Sequence, residues 1–101
     1  MFQPPTDQLI ETIDRKQLAA VDFSHDDVLA ADAAAQKLRR AEADRAALLA
    51  NVHQTKATIF FRTADGQTKR VRAHVLGAHA DYLTLKDGML LPIRAVLGFE
   101  V

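Results

Sequence analysis

From Lys56 onward, apolar residues recur at every second position in short runs, and turn-forming residues separate the runs. Period-two alternation of β-branched and aromatic residues between Gly and Asp is the mark of strands and hairpins. In residues 57–63, Ala57, Ile59 and Phe61 face one way and Thr58, Phe60 and Arg62 the other. Phe60 on the second face predicts a strand covered on both sides, with a helix as the candidate cover. Asp65-Gly66 predicts a tight hairpin, because both positions tolerate positive φ. Residues 69–76 then place Val71, Ala73 and Val75 inward, and Arg70, Arg72 and His74 outward. Gly77 permits a bend or bulge. Leu83 and Leu85 point inward from the third strand, and Asp87-Gly88 supplies a second tight turn. Pro92 puts the next strand at an edge or beside a break in pairing. Arg94-Ala95-Val96 reads as a short 3₁₀ turn that returns residues 97–101 as a fifth strand. The pattern predicts five strongly bent antiparallel strands closing into a small barrel.

Before residue 54 the spacing changes to that of helices. Pro4-Pro5 precedes Thr6-Asp7, a candidate N-cap, and Leu9, Ile10, Ile13 and Leu18 form one apolar side as far as about Ala20. Ser24 reads as the N-cap of a second helix, with Asp26 and Asp27 in its first turn and Phe23 and Val28 as a hydrophobic staple. Neither Gly nor Pro interrupts the chain from His25 to Val52, which predicts a helix of about 28 residues, roughly 40 Å long. Val28, Leu29, Leu38, Leu48, Leu49 and Val52 are its candidate packing residues. The slim alanines between them favour close approach of a partner helix, either the first helix folded back or the same helix of a second subunit. Arg39, Arg40 and Arg45, interleaved with Glu42 and Asp44, read as a solvated, salt-bridged face.

The expected architecture is therefore α+β: one domain over residues 1–101, with a short and then a long helix in a lead of residues 1–53 and the barrel in residues 54–101. A chain of 101 residues supports one modest core. It contains no cysteine, which removes disulfides and thiolate metal sites from consideration. No basic-then-apolar leader and no membrane-length apolar run is visible, so the expected location is cytoplasmic, with no membrane partner. Net charge is zero but unevenly spread: the stretch through His53 carries six Lys/Arg against nine Asp/Glu, and the remainder seven against four. A basic barrel on an acidic lead suits an anionic ligand, attraction between the two halves, or only a solvated surface.

Candidate chemistry is sparse. The single serine falls at a helix cap, Asp26 and Asp27 fall at a helix start, Asp65, Asp81 and Asp87 fall in turns, and no Gly-rich phosphate loop is present, so no enzymatic activity, cofactor or small-molecule substrate is expected. His25, His53, His74 and His79 share no ligand spacing, and no metal site is expected. Arg62, Lys69, Arg70 and Arg72, with His74, form a basic stripe suited to phosphates, with Phe60 or Tyr82 for base stacking. The same cations also serve as ordinary protection of a strand edge.

A helix followed by five bent strands resembles the Sm-like and SH3-like small barrels, the Sm-like family including the bacterial Sm-like RNA chaperone. Residues 56–61 (Lys-Ala-Thr-Ile-Phe-Phe), Asp65-Gly66 and residues 85–94 (Leu-Lys-Asp-Gly-Met-Leu-Leu-Pro-Ile-Arg) also resemble short bacterial proteins of unknown function with a terminal Leu-Lys-x-Gly and Ile-Pro-Ile-x-Arg pattern. The Sm-like resemblance implies RNA binding and adds Arg94, which falls near the basic turn of that family. The sequence departs from the family after strand two, where His79, Asp81 and Leu83 stand without the base-holding Asp or Asn motif. The first expectation is a non-catalytic, homo-oligomeric assembly module. The alternative is an RNA-binding protein using the outward face of strand two.

Overall fold

The computed structural model describes residues 2–4 and 9–100. The proposed cap at Thr6-Asp7 lies outside the described residues. Beyond it, the predicted first helix is replaced by strand β1 (Glu11–Ile13) and a 3₁₀ segment, Arg15–Ala20. Asp14 explains the change. Its side chain accepts the Lys16 N–H at 2.9 Å, while its own N–H donates to the Gln17 side chain at 2.8 Å. This reciprocal cap starts a helical turn at residue 15 and rules out a helix running through residue 14. The β-branched Thr12 and Ile13 pair instead in parallel with residues 70 and 71. Ile13 and Leu18, predicted on one helical side, are both buried, one from the strand and one from the 3₁₀ segment.

The long helix also begins later than expected. Ser24 caps nothing and donates its hydroxyl to the Asp26 carbonyl. Phe23 leaves the predicted staple, bridges Thr63 and packs edge-on against Phe61 at 5.6 Å. Asp27 accepts the Leu29 N–H at 2.8 Å, turning the chain, and Asp32 accepts the Ala35 N–H at 2.9 Å as the true N-cap. Helix α1 is Ala33–His53 and ends at Gln54, which takes a left-handed conformation (φ 58°) without the usual glycine. Val28 and Leu29, expected within the helix, therefore lie in the turn before it.

Six strands follow: β2 (Ala57–Arg62), β3 (Thr68–Ala73), β4 (Val75–Ala78), β5 (Tyr82–Leu85), β6 (Leu90–Pro92) and β7 (Val96–Glu100). The two predicted turns form: Gly66 has φ 87°, and Asp87 and Gly88 both have positive φ. The predicted strand two divides at His74. Its first half, β3, stays in a four-stranded sheet of order β1-β3-β2-β7, and its second half, β4, opens a three-stranded sheet of order β4-β5-β6. The register of β4 against β5 shifts between Val75 and Gly77, where the sequence permits a bulge. The 3₁₀ turn forms at Ile93–Ala95, one residue earlier than expected.

The fold remains α+β, but the five-stranded closed barrel with two leading helices is not what forms. Among the described residues, seven strands make two separate sheets, and one long helix precedes most of them. Closure requires a ladder between the sheets. The free edge of β3 is occupied by β1, β7 pairs with β2, and the three residues of β6 pass at once into the 3₁₀ turn. The sheets instead share side chains. Ile59, Phe61 and Val71 from one sheet and Val75, Leu83, Leu85 and Leu91 from the other are all fully buried in one cluster. Helix α1 packs on β4 and β7 through Ala43, Ala46 and Ala50, whose small side chains allow close approach.

Candidate functional site

Arg39 was expected on a solvated face, and it is the most deeply buried charged residue described, at 5% exposure. Its guanidinium donates to both carboxylate oxygens of Asp27, at 2.9 and 2.8 Å, and to the Val96 carbonyl at 3.0 Å. One side chain thus joins the turn, α1 and the start of β7. Arg39 is the main cause holding the Asp27 carboxyl below its usual pKa, the Leu29 N–H adding to it and partial burial opposing it. Asp65 is also lowered, chiefly by the Thr63 hydroxyl that donates to it within the first hairpin turn. Both carboxylates are satisfied by partners within the chain.

The six predicted packing residues separate. Val28 and Leu29 are half-buried in the turn, where the Val28 N–H donates to the Arg94 carbonyl at 2.8 Å. Leu49 is half-buried on the side of α1. Leu38, Leu48 and Val52 stand in solvent at 37%, 61% and 61% exposure, opposite the buried Ala43, Ala46 and Ala50. With Ala41 and Arg45, also exposed, they follow a 3-4 spacing along the helix. Leu76 on β4 is 46% exposed, and its carbonyl receives the Asn51 amide at 3.4 Å from the same end of α1.

The predicted basic stripe is also divided. Register places Thr58 opposite Arg72, and Phe60 opposite Arg70, so Arg70 and Arg72 share the outer face of the four-stranded sheet with Arg62 and Lys56. Lys69 faces the other way and pairs with Glu11 at 2.7 Å. Arg70 donates to the Thr12 hydroxyl at 2.6 Å, and Arg94 donates to the Ser24 carbonyl at 2.8 Å, away from the stripe. Phe60 has no face left for a base: it is 1% exposed and covered by Phe2, whose ring centroid lies 5.3 Å away. Tyr82 belongs to the other sheet, against His79 at 4.8 Å. The histidines do not converge, since His74 contacts the Gln54 carbonyl at 2.9 Å and His79 the Thr84 hydroxyl at 3.0 Å.

One grouping was not foreseen from the pattern. Lys16, Lys56 and Arg72, with Arg15, line a depression of about 530 Å³ together with Thr12, Ile13 and Asp14. Lys56 has the same strand parity as Thr58 and Arg62, a signal that was available. Lys16 comes from the 3₁₀ segment, and only the parallel pairing of β1 with β3 brings it there. Comparison with known protein families, with curated proteins and with solved structures gives no match for this chain.

Proposed function

We propose that the protein is a non-catalytic assembly module that pairs with a second copy of itself through the outer face of α1. The observation that supports this reading is the line Leu38, Ala41, Arg45, Leu48, Val52, exposed at a 3-4 spacing on the side of the helix away from its own core. Such spacing is that of a helix–helix seam. A group of large apolar residues extended by Leu76 is more than scattered surface leucines account for. In an antiparallel two-fold arrangement, Leu38 of one copy meets Leu48 of the other. Arg45 then lies over the small Ala41, near the acidic Glu42 and Asp44 of the opposite helix. That pairing is self-complementary, as a two-fold interface requires.

Sedimentation equilibrium tests it. The wild-type mass should be that of two chains at about 100 μM, a concentration that a weak interface of this kind reaches. Leu48→Lys with Val52→Lys should weaken association at least about a hundredfold while leaving the far-ultraviolet spectrum intact. A monomeric wild type, or a double variant that keeps its mass, would exclude this interface. RNA binding is the second reading, supported by the shared outward placement of Arg62, Arg70 and Arg72. It is the weaker one, because Lys69, Arg70 and Arg94 already have partners and Phe60 is covered.

A further inference from the structure

We infer that the depression bordered by Lys16, Lys56 and Arg72 is a binding site for a compact polyphosphate group, as carried by a small di- or triphosphate ligand. Three observations lead there. First, these cations are unpaired among the described residues, whereas their neighbours Arg15 and Lys69 are tied to Asp87 and Glu11. Second, among the described residues the rim carries one carboxylate, Asp14, which also caps the 3₁₀ segment by accepting the Lys16 N–H. Its single negative charge offsets only one of the three positive charges brought together from the 3₁₀ segment, the residue before β2 and the end of β3, and the rim stays net positive. Third, the depression, about 530 Å³ and open to solvent, leaves room for a small charged group to reach all three cations.

The chemistry of the rim narrows the ligand. Arg72 offers a planar fork suited to two oxygens of one phosphate, and the two lysines are mobile point charges suited to a second. No aromatic side chain lines the depression, so a base would find nothing to stack on, and recognition falls to the phosphates. Lys16, Lys56 and Arg72 share one concavity, and three cations gathered there favour a short anion that meets all of them at once. The site lies on the four-stranded sheet and involves none of the residues of the proposed α1 interface, so either idea survives the failure of the other.

Titration of the full chain with tripolyphosphate at low ionic strength, followed by amide NMR shifts, tests the site. Shifts should concentrate at Lys16, Lys56 and Arg72. The double variant Lys56→Gln with Arg72→Gln should bind at least about tenfold more weakly, the loss expected for charged contacts. Lys16→Gln should weaken binding separately, and Lys37→Gln on α1 should change nothing. All four side chains reach solvent, and an unchanged thermal midpoint confirms that the variants fold. Shifts centred elsewhere, or equal affinity in the double variant, would overturn the proposal. So would a ten-nucleotide single strand that displaces tripolyphosphate and shows a salt dependence larger than three cations produce, which would assign the face to an extended backbone, at about 0.7 ions per phosphate.

Discussion

At the scale of single residues, the bond between Asp27 and Arg39 fixes where the helix sits. Two long segments meet there only because a guanidinium can satisfy a carboxylate and a carbonyl at once. Removing either partner leaves the other charge partly buried, which is more harmful than never having had the pair. Arg39→Met should cost about 2–3 kcal/mol, less than the roughly 3–5 kcal/mol lost from a fully buried pair, because the Asp27 side chain keeps 30% exposure. Arg39→Lys should not restore stability, since an ammonium cannot span both carboxylate oxygens. The pair also gives a pH signature. The Asp27 carboxyl titrates lower in the folded chain than in the unfolded one, so its contribution is complete above the unfolded value near 3.9 and disappears as pH falls through the folded value. Urea unfolding of the wild type should therefore hold its midpoint down to about pH 5 and then decline. Asp27→Asn should start from a lower midpoint at neutral pH and decline less steeply. A variant whose acid decline is as steep as the wild type's would remove this role from Asp27.

At the scale of elements, the strands after residue 56 were legible because alternation is local: Ile59, Phe61, Val71, Leu83 and Leu85 each declare their side by parity alone, and all are fully buried. The helical lead was less legible, since its outcome depends on distant partners. Leu9, Ile10, Ile13 and Leu18 carry a helical spacing, but Ile13 gains more from pairing beside β3 than a helix interrupted at Asp14 offers. On α1 the sequence pattern points to the large apolar residues as the packing face, whereas close approach to β4 and β7 selects alanines. Barrel closure could not be read either, because it depends on which strand occupies the free edge of β3. Phe60 illustrates the mixture: its cover was foreseen, but the covering group is Phe2 and not the helix. Phe2 can lie there because residue 98 is glycine; a Cβ at Gly98 would come within 2.2 Å of the Phe2 ring. Gly98→Ala should therefore evict the ring, and Phe2→Ala should remove it, each costing about 1 kcal/mol of aromatic packing. The two substitutions together should cost little more than either alone, because they delete one contact twice. Full additivity in a urea-unfolding double-mutant cycle would show that the ring and the glycine are independent.

At the scale of the whole molecule, two sheets without a connecting ladder must be held as one body by side chains. The radius of gyration, 12.4 Å, matches the roughly 13 Å of a compact domain of about 100 residues, so the sheets are not splayed. Three features join them: the chain bend at His74, α1 lying across β4 and β7, and the common core. The bend is secured on both sides, since His74 Nε2 meets the Gln54 carbonyl and the His74 carbonyl accepts the Lys86 N–H at 3.1 Å. Because Val75, Leu83 and Leu91 of the small sheet lie in the same buried cluster as Ile59, Phe61 and Val71 of the large one, neither sheet has a core of its own. The small sheet, with strands of three or four residues, is too short to persist alone. Unfolding should accordingly be a single transition, with backbone circular dichroism and Tyr82 fluorescence coincident although Tyr82 reports only on the small sheet. Leu83→Ala, at a position with 0% exposure, should lower stability by about 2–5 kcal/mol and move both probes together. If Tyr82 instead reported an earlier transition while the large sheet kept its signal, the shared core would not be what couples them. The ladder missing between the sheets would then mark a true boundary in stability.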